Sequence, residues 1–112
     1  MKLLDVRTIH FVRPEVILDD VKRVLNALGI AFDVKEEEEL SWTIAGKKDN
    51  NEVKIKITCK LVPFKSILGV ERSLMIIDPA PITTIETYST GDAEFNEKFK
   101  RRLELGLFRA GG

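Results

Sequence analysis

Apolar and polar residues alternate without a break from Val53 to Lys60. Val53, Ile55, Ile57 and Cys59 fall on one phase; Lys54, Lys56, Thr58 and Lys60 fall on the other. Alternate side chains of a strand point to opposite faces, so this stretch predicts a strand with one buried face and one lysine-bearing face. The same period, weaker, predicts strands over 6–12 (VRTIHFV), 30–35, 40–45, 70–78 and 82–88. The run of four glutamates at 36–39 is expected to be a solvated turn, GKKDNNE (46–52) a polar connection, and PFKSILG (63–69) a loop.

The period changes to that of a helix after Arg13-Pro14. Ile17, Val21, Val24, Leu25 and Leu28 share one helical face, while Asp19, Asp20, Lys22, Arg23 and Asn26 lie off it. Proline suits the first turn, where its missing N–H costs nothing, Glu15 suits the positive end of the dipole, and Gly29 is a natural stop. A second helix is expected after Gly91, with Asp92 as its N-cap and a stripe of Phe95, Phe99, Leu103 and Leu107. Gly106 is expected to weaken its last turn. The fold class that follows is α+β: a two-layer domain with an antiparallel meander sheet of four to six strands and two helices on one face. At 112 residues the chain is expected to be a single domain, 1–112, with an ordered core over about 6–108.

Composition narrows the functional classes. Net charge is zero, which argues against a strongly basic nucleic-acid binder, and no nucleic-acid partner is expected. No apolar run approaches the roughly 20 residues that a membrane span needs, and Asp5 and Arg7 interrupt any leader-like stretch. An intracellular protein, cytoplasmic with peripheral attachment to the plasma membrane, is the expectation. One cysteine and one histidine leave no disulfide and no cysteine-based metal site, so no cofactor is expected. No glycine-rich phosphate loop, GxSxG or HExxH stretch is present. Cys59 shares the apolar phase of its strand, where free cysteine is commonly buried and inert. An enzyme is not expected.

The charge is unevenly placed. Residues 1–46 carry a net −3 and residues 47–112 a net +3. Within 47–65 six lysines (Lys47, Lys48, Lys54, Lys56, Lys60 and Lys65) face only Asp49 and Glu52. These six, with Arg101 and Arg102 of the closing helix as second choices, are the candidate anion-binding residues. Lysine near an anionic bilayer contributes about 1 kcal/mol each. Two other roles stay open for the strand lysines: an ordinary solvated face, or protection of a sheet edge against aggregation. Phe64 is the only aromatic in the cluster, so the stacking ladder of single-strand nucleic-acid binders is missing.

The segments TIHFVRPEVILDDVKRVLNALGIAFDV, LSWTIAG, VKIKITCKLV, GVER and FNEKFKRRLELGL together resemble the kinase-associated-1 domain, over about residues 7–108. That domain closes the chain of several kinases related to the microtubule-affinity-regulating and AMP-activated enzymes. One departure from its pattern is the segment SLMIIDPAPITTIETYSTGD, which stands where the family passes quickly into its last helix. The resemblance implies a non-catalytic regulatory domain of a serine/threonine kinase that binds acidic phospholipids through basic side chains. The alternative it implies is an autoinhibitory or protein-interaction module docking on a kinase domain or regulatory subunit, with the extra segment 73–90 as a candidate contact.

Overall fold

A computed structural model describes residues 1–62 and 80–107. The chain runs β1 (Lys2–His10), α1 (Pro14–Ala27), β2 (Ala31–Glu38), β3 (Ser41–Lys48), β4 (Asn51–Val62), β5 (Ala80–Ser89) and α2 (Ala93–Leu107). The expected loop at 63–69 and strand at 70–78 lie outside the described residues, as does Lys65. The five strands form one antiparallel sheet in the order β1-β5-β4-β3-β2. From β2 to β5 this is a meander. β1 closes the far side against β5, so α1 carries the chain from one edge of the sheet to the other.

Helix α1 forms where the sequence demands it. Pro14 occupies its first turn, and the Arg13 carbonyl accepts the Val16 N–H at 3.1 Å. The end is a Schellman closure: Gly29 N–H donates to Asn26 O at 3.1 Å and Ile30 N–H to Leu25 O at 3.0 Å. Gly29 makes this possible by adopting φ 72°, a left-handed conformation that costs a side chain about 1–2 kcal/mol. Asp20 departs from expectation. It lies on the buried face and holds the Arg23 guanidinium at 3.0 Å, which offsets the burial of its charge.

Helix α2 begins as predicted, with Asp92 Oδ1 accepting the Phe95 N–H at 2.8 Å. Phe99, Leu103 and Leu107 are buried and Phe95 stacks on Phe99. Gly106 has a different role from the one its helix propensity suggests. A Cβ there would run into the Val24 Cγ2 methyl of α1, so the glycine lets the two helices approach closely. Both helices cover one face of the sheet. Ile17, Val21, Val24 and Leu25 of α1 and the apolar stripe of α2 pack with Ile44, Val53, Ile55, Ile57 and Ile85 from the strands. Among the described residues, no helix lies on the opposite face.

All five strands are longer than their periodicity suggests, and three of them change the reading of a neighbouring segment. β1 starts at Lys2, with a bulge between Leu3 and Asp5 that resets the alternation. β2 continues through Glu36, Glu37 and Glu38, correcting the expectation of a turn there. It is an edge strand whose acidic side chains stay in water while the backbone ladder to β3 holds it extended. The polar connection GKKDNNE contracts to Asp49-Asn50, because Lys47 and Lys48 continue β3 in register with Glu52 and Asn51.

Candidate functional site

The predicted basic residues divide between the two faces of the sheet. Lys54, Lys56 and Lys60 stand on the open face of β4, and Lys47 of β3 stands on the same face opposite Glu52. Lys48 points the other way. Its ammonium donates to the Leu28 carbonyl at 2.7 Å, satisfying one of the free acceptors at the end of α1. Lys48 is therefore a capping residue on the covered side. Arg101 and Arg102 also belong to the helical layer. Arg101 pairs with Glu97 at 3.3 Å, and Arg102 sits beside a shallow groove lined by Arg23, Val24, Ala27, Leu105 and Gly106. Strand and helix basic residues thus form two surfaces, not one.

The cross-strand register sets what each open-face lysine has for neighbours. Lys54 lies between Ala45 and Tyr88, with Leu3 beyond Tyr88. Lys56 lies between Thr43 and Glu86, with Val6 beyond. Thr58 lies between Ser41 and Thr84, with Thr8 beyond, so four hydroxyl side chains cross the sheet in one row. Lys60 has Ile82 and then His10. The face therefore grades from a lysine stripe on β4 to an apolar rim on β1, where Leu3 is 48% and Val6 53% exposed.

Lys47, Lys54, Lys56 and Lys60 make no ion pair with any described residue. Glu86, the register partner of Lys56, is engaged by Tyr88 instead, whose hydroxyl donates to Glu86 Oε2 at 3.3 Å. Desolvation of the Tyr88 phenol, with the Glu86 charge and this hydrogen bond adding to it, raises its pKa above the ordinary 10.0. Lys35 of β2 shares the face, in register with Thr43, but lies within 3.8 Å of Glu37.

Sequence reasoning missed Leu3, Val6 and Tyr88 as part of this face. The strand containing Tyr88 is legible in ITTIETY, but the order of strands is not, and it is the order that sets β1 and β5 beside the lysine strand. On the covered side, a cleft of about 200 Å³ opens between Lys48, Asp49, Asn51 and the Phe95–Phe99 pair, with Leu28 and Lys98 completing its wall. Its lysine at 48 is committed to the α1 terminus. Among the described residues no helix is long and apolar enough to cross a membrane. Compared with known proteins, the chain matches no family model and no curated sequence.

Proposed function

We propose that this chain is a non-catalytic module that attaches to anionic membrane surfaces through the open face of its sheet. The observation that carries the reading is the set of four lysines, Lys47, Lys54, Lys56 and Lys60, free of ion pairs with described residues on the sheet face opposite both described helices. A bilayer presents phosphates and carboxylates over an extended surface, so several lysines on one sheet face can meet it at once. Each lysine near such a surface contributes about 1 kcal/mol, and Glu52 and Glu86 on the same face offset part of the sum. Four lysines against two carboxylates leave a net of about 2 kcal/mol, a factor of roughly 30 in binding, which suits reversible, salt-sensitive recruitment. The exposed Leu3 and Val6 and the amphipathic Tyr88 suit the boundary between headgroup and acyl chain. The resemblance to kinase-associated-1 domains supports the same reading, since the strand, helix, meander and closing helix follow in the order it implies. In that setting the host would be a protein kinase and the ligands acidic phospholipids.

Sedimentation with vesicles tests the proposal. The protein should co-sediment with phosphatidylserine-containing vesicles, not with neutral ones, and less at high salt. Replacing Lys54, Lys56 and Lys60 together by Ser should abolish binding, whereas Arg101→Ser with Arg102→Ser should preserve it. The reverse result would move the site to the helical layer. Absence of binding to either vesicle would overturn the membrane reading and put docking on a kinase domain or regulatory subunit in its place.

A further inference from the structure

The sheet ends in two edges of opposite character. β2, AFDVKEEE, carries four carboxylates against one lysine, and its glutamates are exposed. Such charge on an edge deters pairing with another strand. β1, KLLDVRTIH, has no proline, one acid, and the exposed apolar residues Leu3 and Val6. Its outer side has no partner among the described residues.

The hydrogen-bond phase of β1 follows from Phe11, one residue past the His10–Ile82 pair, whose N–H donates to the Pro81 carbonyl at 2.9 Å. In an antiparallel ladder, successive residues alternate between bonding the neighbour on one side and facing the other. Counting back, Ile9 and Arg7 bond toward β5, and the N–H and C=O of His10, Thr8 and Val6 turn to the free edge. A second copy of β1 would meet these groups in antiparallel register. Pairing Val6 with its own counterpart sets Asp5 opposite Arg7 of the second copy, twice, by symmetry. The next permitted slips are worse: one sets Arg7 against Arg7 and the other Asp5 against Asp5. Like charges directly opposite destabilise a strand pair, and opposite charges stabilise it by about 0.2–1 kcal/mol. Asp5 and Arg7 are 3.7 Å apart within one strand, and the Arg7 guanidinium also lies 3.7 Å from Glu104 of α2; both strand side chains remain partly exposed, so a second copy's Asp5 would add to the carboxylates around Arg7.

We propose that β1 is a self-association edge at which two copies of this chain pair antiparallel about Val6, joining their sheets into one of ten strands. The two-fold axis then runs perpendicular to the sheet, so both β4 lysine stripes face the same side. Doubling a weak surface contact in this way multiplies its avidity without any new contact. The dimer itself does not depend on membrane binding, and its test uses no lipid.

Sedimentation equilibrium of the full chain over a range of concentrations provides the test, with circular dichroism to confirm that each variant folds. The wild type should show a reversible monomer–dimer equilibrium. Val6→Pro removes an N–H that faces the free edge and leaves the ladder to β5 intact, and Val6→Lys puts charge on the symmetry axis. Each should weaken association at least tenfold, whereas Val34→Lys on the β2 edge should not change it. Asp5→Arg and Arg7→Asp should each be monomeric alone. Mixed in equal amounts they should form a heterodimer, because one chain then offers two cations to the two anions of the other. A wild type that stays monomeric overturns the proposal. So does a dimer indifferent to Val6→Pro, or a mixture that fails to associate.

Discussion

Along β4, residues one position apart live in different media. Val53, Ile55 and Ile57 are at most 1% exposed beneath two helices, whereas Lys54, Lys56 and Lys60 occupy the face turned away from both described helices. The first set holds the layers together and is bound by volume. The second is bound only by the need to keep the strand extended, and is free to serve recognition. The period of two in a strand is what lets eight residues do both, since a change on one face leaves the other face untouched.

The largest effect expected from that contrast is on stability. Ile57→Ala removes buried methyl groups and leaves a cavity between the sheet and the helices, so it should cost about 2–5 kcal/mol in urea unfolding. Lys56→Ala, next to it in the chain, should stay within about 0.5 kcal/mol. Equal losses from the two variants would mean that the lysine face is packed against something and not free.

Lysines on the two faces should also differ from one another. Lys48 lies on the covered side and bonds the Leu28 carbonyl at the end of α1. Lys48→Met keeps much of the stem and removes only the donor and the charge, and should cost about 1 kcal/mol by the same unfolding measurement. The same change at Lys54 should cost nothing measurable and should weaken vesicle binding. This pair separates a structural lysine from a recognition lysine without altering residue type.

How far these roles were legible in the sequence depended on burial. β4 has a strand on either side and one buried face, so its alternation is strict and its reading survives in the structure. α1 was legible for the same reason, with Asp20 the exception, because a carboxylate with a guanidinium three residues on can be buried where the helical wheel alone would place it in water. The first half of β2 is legible in Ile30, Phe32 and Val34, but Glu36–Glu38 are not, because the end of an edge strand in water has no apolar pattern; these glutamates adopt the strand through the ladder to β3, against their own propensity. Lys47 and Lys48 read as neighbours in a polar connection; because they continue β3, the period of two sends them to opposite faces, and Lys48 meets the end of α1. Gly106 reads locally only as a weak point in the last turn, and the reason for a glycine there lies in the other helix, at Val24. The candidate face as a whole required the strand order, which brings β1 and β5 next to β4 and which no local pattern encodes.

The smallest expected effect concerns the border between the lysine stripe and the apolar rim. Tyr88 holds Glu86 at 3.3 Å, so the carboxylate in register with Lys56 is occupied by a phenol. Desolvation first, and the Glu86 charge and hydrogen bond next, raise the Tyr88 pKa above 10.0. A raised folded-state value for an acid means that the neutral phenol is favoured by folding. Its contribution is complete below the unfolded-state pKa and is lost as pH rises through the folded-state value, so stability should decline in the alkaline range above about pH 10. Ultraviolet titration of the single tyrosine should show the high midpoint directly. Glu86→Gln should lower that midpoint while leaving a residue of the shift, since the desolvation persists. It should also strengthen binding to anionic vesicles, because a negative charge beside Lys56 is gone. A midpoint unmoved by Glu86→Gln would mean that the two side chains do not meet in solution, and that Glu86 is free to neutralise Lys56 instead.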